Sequence, residues 1–159
     1  MGITDVCLKE IIPISDTMNC EELFSTISDL SPQLIEKTLL GLVDGSINPV
    51  PQCEEGVCMA NKLTKEETSI DWLKSANEIH NLVRGIYKFP SAHFIYNDKL
   101  VKVLQTKVVD GSGKPGEFVE ISKDGIKVAC GKDCLLLVKI KPEGKGEMFA
   151  RDWYNGLKK

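Results

Sequence analysis

At 159 residues, 42% of them hydrophobic and 27% charged, the chain has an ordinary globular composition and room for one good-sized domain, or a small domain plus a piece of another. No apolar run approaches the roughly 18 residues of a membrane span, and the first residues lack the charged-then-apolar order of a secretory signal. The net charge of −3 hides a division, because residues 1–60 carry two basic and ten acidic groups, −8, and residues 61–159 carry eighteen basic and thirteen acidic ones, +5.

The basic part suits a polyanion, and its surface lysines equally suit plain solvation of a sheet. Met1-Gly2 lacks the Ser or Thr that myristoylation wants, since Val6 stands there. The expected compartment is the cytoplasm or an organelle matrix (mitochondrion or plastid), with neither secretion nor a membrane.

In chain order, Val6 to Ile14 is rich in branched apolar residues, closes at Pro13, and predicts a strand. Asn19 caps a short helix bearing Leu23, Ile27 and Leu30, and Ser31-Pro32 starts a second with Leu34, Ile35, Leu39, Leu42 and Val43 inside and Gly45 past its end. A strand and two helices are too little to bury a core, so this segment is expected to pack poorly without a partner. Residues 46–68 form a linker marked by Asn48-Pro49 and Val50-Pro51, ending in a polar strap with Lys62 and Lys65.

Helical spacing returns with Trp72, Ala76, Ile79, Val83 and Ile86, and Ser69 or Asp71 is the predicted cap. Beyond Pro90 the period changes to two. Ser91 to Tyr96, a turn at Asn97-Asp98 and Leu100 to Val109 predict a hairpin, followed by strands near Glu117–Ile121, Gly125–Cys130 and Leu135–Ile140. Five short strands with Gly-rich turns predict a small closed barrel, and Met148 to Leu157 a final amphipathic helix carrying Phe149, Trp153 and Tyr154.

Few residues invite catalysis. Cys53-x4-Cys58 and Cys130-x3-Cys134 could hold a tetrahedral zinc or be inert reduced thiols, and the absence of tight two-residue knuckles leans to thiols. Gly113-Lys114 ends like a phosphate loop, but Pro115 replaces the needed Ser or Thr and Val108 the first Gly. His80 and His93 are the only imidazoles, and neither has a nucleophile in a recognisable pattern. Trp72 and Trp153 read as core or helix-cover residues rather than stacking platforms.

The stretch Lys62-Leu63-Thr64-Lys65 continued by Ile70-Asp71-Trp72, Ala76, Ile79, Val83-Arg84-Gly85 and Phe89-Pro90 resembles the linker and first helix of the methionyl-tRNA formyltransferase C-terminal domain. Pro115-Gly116-Glu117, Asp124-Gly125-Ile126-Lys127-Val128-Ala129 and Lys141-Pro142-Glu143-Gly144-Lys145 keep the same order, so the likeness covers nearly the whole chain. It implies an α+β fold. Residues 1–45 would be the end of an open α/β catalytic sheet, 46–68 the linker, and 69–159 an OB-like barrel with flanking helices.

It also implies formyl transfer from 10-formyltetrahydrofolate to initiator methionyl-tRNA in translation initiation, with no DNA partner and no cofactor or metal held by this chain itself. The family's catalytic Asn and His sit in an Asn-x-His motif followed by Ser-Leu-Leu-Pro, which this sequence lacks. Gly2-Ile3-Thr4-Asp5 stands where relatives have Asp-Thr-Gly-Asp, so Asp5 matches the second Asp and the catalytic one is absent. No catalytic residue carries over, which makes the chain read as truncated or split, with a separate chain supplying the catalytic domain.

The tRNA role does carry over, with Lys62 and Lys65 as phosphate contacts and Arg84 and Lys88 next. The alternative is a non-enzymatic RNA-binding or interaction module derived from that domain. A sugar-nucleotide formyltransferase or formyltetrahydrofolate dehydrogenase would not call for the lysine-bearing linker.

Overall fold

The structure is a computed structural model describing residues 5–157. It divides into two compact units, Met1–Lys62 and Leu63–Lys159.

The first unit is built on helix α1, Cys20–Asp44. Asn19 caps it reciprocally: its side chain accepts from the Glu22 amide at 3.0 Å, and the Glu22 carboxylate accepts from the Asn19 amide at 2.9 Å. The break expected at Ser31-Pro32 does not occur, and one 25-residue helix runs through Pro32. A proline inside a long helix removes one amide donor while the turns on either side persist. Here the Ser31 hydroxyl donates to the Ile27 carbonyl at 2.6 Å and Ser28 to that of Phe24 at 2.9 Å, supporting the turns leading into the proline.

The strand expected over Val6–Ile14 is also corrected. Val6 alone pairs, exchanging amide bonds of 2.8 and 2.9 Å with Val50. Branched residues make a strand only where a neighbouring backbone supplies the ladder, and among the described residues nothing pairs with Cys7 to Ile14. Gly41, covered by the Ile47 side chain, is the sole buried residue among those described in this unit.

The second unit opens with a 3-10 turn, Glu66–Thr68, and then α2, Ala76–Gly85. The helix starts later than the apolar spacing suggests. Its cap is Ser75, which exchanges hydrogen bonds with Glu78, while Asp71 accepts from the Leu73 amide in the preceding turn.

Six strands follow: β1 His93–Tyr96, β2 Lys99–Val109, β3 Phe118–Ser122, β4 Gly125–Ala129, β5 Cys134–Pro142 and β6 Met148–Phe149, then α3, Ala150–Leu157. The β1–β2 turn is Asn97-Asp98 with both residues at positive φ, as a two-residue hairpin of right twist requires. Gly125 combines φ +151° with the Leu137 carbonyl lying where a Cβ would stand, so no other residue fits that turn.

The sheet is antiparallel throughout, in the order β1-β2-β5-β4-β3 with β6 added to β5. It is therefore open, and the predicted closed barrel is corrected. The two edge strands approach through rings instead of hydrogen bonds: Tyr96 of β1 stacks on Phe118 of β3 at 5.3 Å and 7°, and Trp153 of α3 meets both edge-on. Such aromatic contacts join side chains but leave the strand amides unpaired across the seam.

The core lies on the inner face, where Val101, Val103, Ile126, Val128, Leu135, Leu137 and Ile140 pack with Ile79 and Val83 of α2 and with Trp153. The His80 ring nitrogen Nδ1 lies 2.8 Å from the Thr106 hydroxyl, joining α2 to that face.

Candidate nucleic-acid interface

Alternation along β2 and β5 decides what the outer face carries. Val101, Val103 and Ile140 point into the core, so Lys102 and Lys141 point out, and the register sets these two directly opposite one another. Opposed like charges destabilise a pair of strands by a few tenths of a kcal/mol or more, roughly the 0.2–1 kcal/mol scale of cross-strand pairs.

A bulge at Leu104 in β2 places Gln105 opposite Lys139, and a second irregularity at Val138 of β5 restores the alternation beyond it. Next come Lys107 and, across Leu136, Lys127 of β4. Five lysines thus share one face of three neighbouring strands. Glu120, opposite Lys127, is the acidic residue that the register puts beside them. Phe149 of β6 is opposite Lys139, half-exposed at 52%, with the ammonium 6.0 Å from its ring centre.

The strap joins this face at one end. The Thr68 hydroxyl donates to the Lys65 carbonyl at 2.7 Å and lies 3.3 Å from Nδ1 of His93, whose partner across β1 and β2 is Lys102. Lys65, at the start of the 3-10 turn, is exposed. Lys62 is exposed and ends the first unit.

Arg84 and Lys88 belong elsewhere. α2 covers the inner face, so its carboxyl end lies across β2 from the lysine row. The Arg84 Nε donates to Asn81 at 2.8 Å, and Lys88 lies over the ring of Tyr87.

The reading from sequence missed Lys102, Lys107, Lys139 and Lys141. Their signal was available as lysines in alternation with apolar residues, Leu137-Val138-Lys139-Ile140-Lys141 above all. Lys127, on β4, belongs to the same face.

Cys53 and Cys58 are exposed, and Cys130 and Cys134 are buried. Burial, with Cys134 beside it, pushes the Cys130 thiol up to about 11, so it stays protonated at neutral pH. Among the described residues no group of three or more His, Cys, Asp or Glu is placed to hold a metal ion, and no helix is long and apolar enough to cross a membrane.

Residues 62–158 match the family profile described as formyl transferase, C-terminal domain. Among curated proteins the chain is 38% identical over 154 residues to a methionyl-tRNA formyltransferase of Clostridium perfringens, covering 96% of this chain and 50% of that protein. It is 34% identical over 157 residues to one of Streptococcus thermophilus, covering 99% of this chain and 50% of that protein. The chain thus spans about half the length of the curated relatives it matches.

Two solved structures share the fold. HypX from Aquifex aeolicus in complex with tetrahydrofolic acid superimposes with a TM-score of 0.70 at 15% identity, over 98% of this chain and 28% of that one. An N-formyltransferase from Helicobacter canadensis gives 0.58 at 15% identity, over 84% and 49%.

Proposed function

Because the chain belongs to the formyl transferase C-terminal domain family, with methionyl-tRNA formyltransferases as its curated relatives, we propose that its second unit is the tRNA-holding part of such an enzyme. We read its open, coiled sheet as an OB-like barrel unclosed along one seam. The observation that carries the proposal is the lysine row of β2, β5 and β4. Like charges set directly opposite one another cost stability in the free protein, and a polyanion laid across them turns that cost into attraction. Lys65, at the start of the second unit, and Lys62, which ends the first, are read as additional phosphate contacts on the strength of the resemblance.

The relatives' names support methionyl-tRNA as the substrate class, and we read it as initiator methionyl-tRNA held for formyl transfer from 10-formyltetrahydrofolate. Phosphate contacts position the acceptor without reading its sequence. The donor is assigned no residue here, and neither imidazole stands free as a base, since His80 is engaged with Thr106 and His93 with Thr68. The Asn-x-His motif of the transfer step would come from a further segment or a separate chain.

Salt titration with initiator tRNA tests the reading. Replacing Lys102 and Lys141 together by Ala should reduce the slope of log K against log salt by roughly 1 to 2 and weaken different tRNAs alike, and the Lys62, Lys65 pair should do the same. Unchanged slopes, or no tRNA binding at low salt, would overturn it. This polypeptide alone should form no formyl-methionyl-tRNA, and product above a heat-killed control would show that the transfer groups lie within it.

A further inference from the structure

An open cleft of about 450 Å³ lies at the seam between β1 and β3, within the size range of small-ligand sites. Phe94 forms part of its lining, with the rings of Trp72, Tyr96, Phe118 and Tyr154. Trp72 meets Phe94 edge-on at 5.6 Å, and Phe118 meets Tyr154 at 5.9 Å. Gly116 is needed beside them: its φ is +86°, and a Cβ there would lie 3.3 Å from the indole of Trp72.

Polar groups at the rim follow from the register. The two-residue Asn97-Asp98 turn makes Tyr96 and Lys99 a hydrogen-bonded pair, so Phe94 and Tyr96 spend their backbone groups on β2. His93 and Ile95 therefore direct theirs to the opposite side. There the His93 carbonyl accepts from the Ile70 amide at 2.7 Å, but the strap turns away at Asp71. The N–H and C=O of Ile95, a residue 61% exposed, are left on the open edge as an adjacent donor and acceptor. Lys99, opposite Tyr96, shares its face and brings a cation to the same rim.

We propose that this cleft takes one unstacked nucleobase of the bound RNA, its ring continuing the stack that Tyr96 and Phe118 form, its edge paired with the Ile95 backbone and its phosphate met by Lys99. The proposal rests on the tRNA-holding reading of the lysine face. Aromatic faces accept any base, while a donor beside an acceptor is what every base edge offers in complement. An added peptide strand fits less well, because it would need a run of free backbone groups and the described part of β1 leaves those of Ile95 alone.

The test compares a short single-stranded oligoribonucleotide with its abasic counterpart of equal charge. The base-bearing oligomer should bind about 5- to 150-fold more tightly, the scale of one stacked base. Tyr96→Leu, which keeps apolar volume, should remove most of that ratio. Tyr96→Phe should retain it, and Ile95→Pro, which deletes the outward N–H without a ladder bond, should reduce it. None of these should change the salt slope.

The Lys102, Lys141 double variant should lower the slope and leave the ratio intact. A ratio near one in the unmodified chain, with salt-dependent binding preserved, would overturn the base site and leave the lysine face standing. Loss of binding by both oligomers at low salt would overturn both. A ratio unmoved by Tyr96→Leu and Ile95→Pro would place the base elsewhere and overturn the assignment to the seam.

Discussion

Both units start a helix with the same reciprocal cap, Asn19 with Glu22 and Ser75 with Glu78, but the helices then diverge. α2 is ten residues long and buries Ala76, Ile79 and Val83, whereas α1 is 25 residues long and buries Gly41 alone. Phe24, Ile35, Leu39, Leu40 and Val43 of α1 are all exposed. Local signals are thus equally good in the two regions, and tertiary burial is confined to one. Most helix stability in proteins comes from packing an apolar face, not from capping or propensity. The comparison therefore says that the basic unit holds itself together and the acidic one does not.

Hydrogen exchange would break or sharpen this most directly. Amides of β2 and β5 should exchange only by global opening, while those of α1 should exchange through local fraying, with protection lower by about the whole folding free energy, roughly 5 kcal/mol or more. Protection in α1 equal to that of β5 would show that the first unit is self-sufficient or covered by another copy.

Substitutions sharpen the contrast at the level of single side chains. Leu137 is fully buried between β2 and β4, so Leu137→Ala should cost about 2–5 kcal/mol in a urea melt. Leu39, a residue of the same type that is 59% exposed, should cost within about 0.5 kcal/mol when changed to Ala in the same chain. Equal losses would mean that α1 has a core of its own.

The same division explains what the sequence made legible. In the second unit each strand from Phe94 to Ile140 has a neighbouring strand to pair with, so period-two alternation and the Asn97-Asp98 turn suffice to locate the hairpin and the later strands. What failed there depends on long-range geometry. Whether β1 meets β3 through backbone or through the Tyr96 and Phe118 rings is not written in either strand, and Lys102 and Lys141 become neighbours only through a register that the bulge at Leu104-Gln105 helps set.

In the first unit the errors ran the other way. Val6 to Ile14 has the composition of a strand without the described neighbour that would make it one, and Pro32 has the signature of a helix start inside a helix that continues. Of the four residues predicted for phosphate contact, Lys65 is tied to β1 by its backbone carbonyl through Thr68 and His93, while Arg84 stands in the last turn of α2 and Lys88 follows that helix.

The smallest effect expected is at the two caps, and it separates local from tertiary stability. Ser75→Ala should lower the stability of the second unit by about 1 kcal/mol, because it removes a cap from a helix that is packed into the core. Asn19→Ala should lower α1 helicity without moving that melt. The Ser75 effect also depends on pH. Hydrogen bonds from the Ser75 hydroxyl, and then from its amide, hold the Glu78 carboxyl below the usual carboxylate range. A depressed folded pKa means stabilisation that is present above the unfolded carboxylate pKa and lost as pH falls through the folded one. The difference between the unmodified chain and Ser75→Ala should therefore shrink on going from neutral pH to below that folded value. It should not vanish, since the bond from the Glu78 amide to the Ser75 hydroxyl does not depend on ionisation. A deficit that is the same at both pH values would show that the cap works through that neutral bond alone, and a shift of the melt by Asn19→Ala would show that the two units fold together.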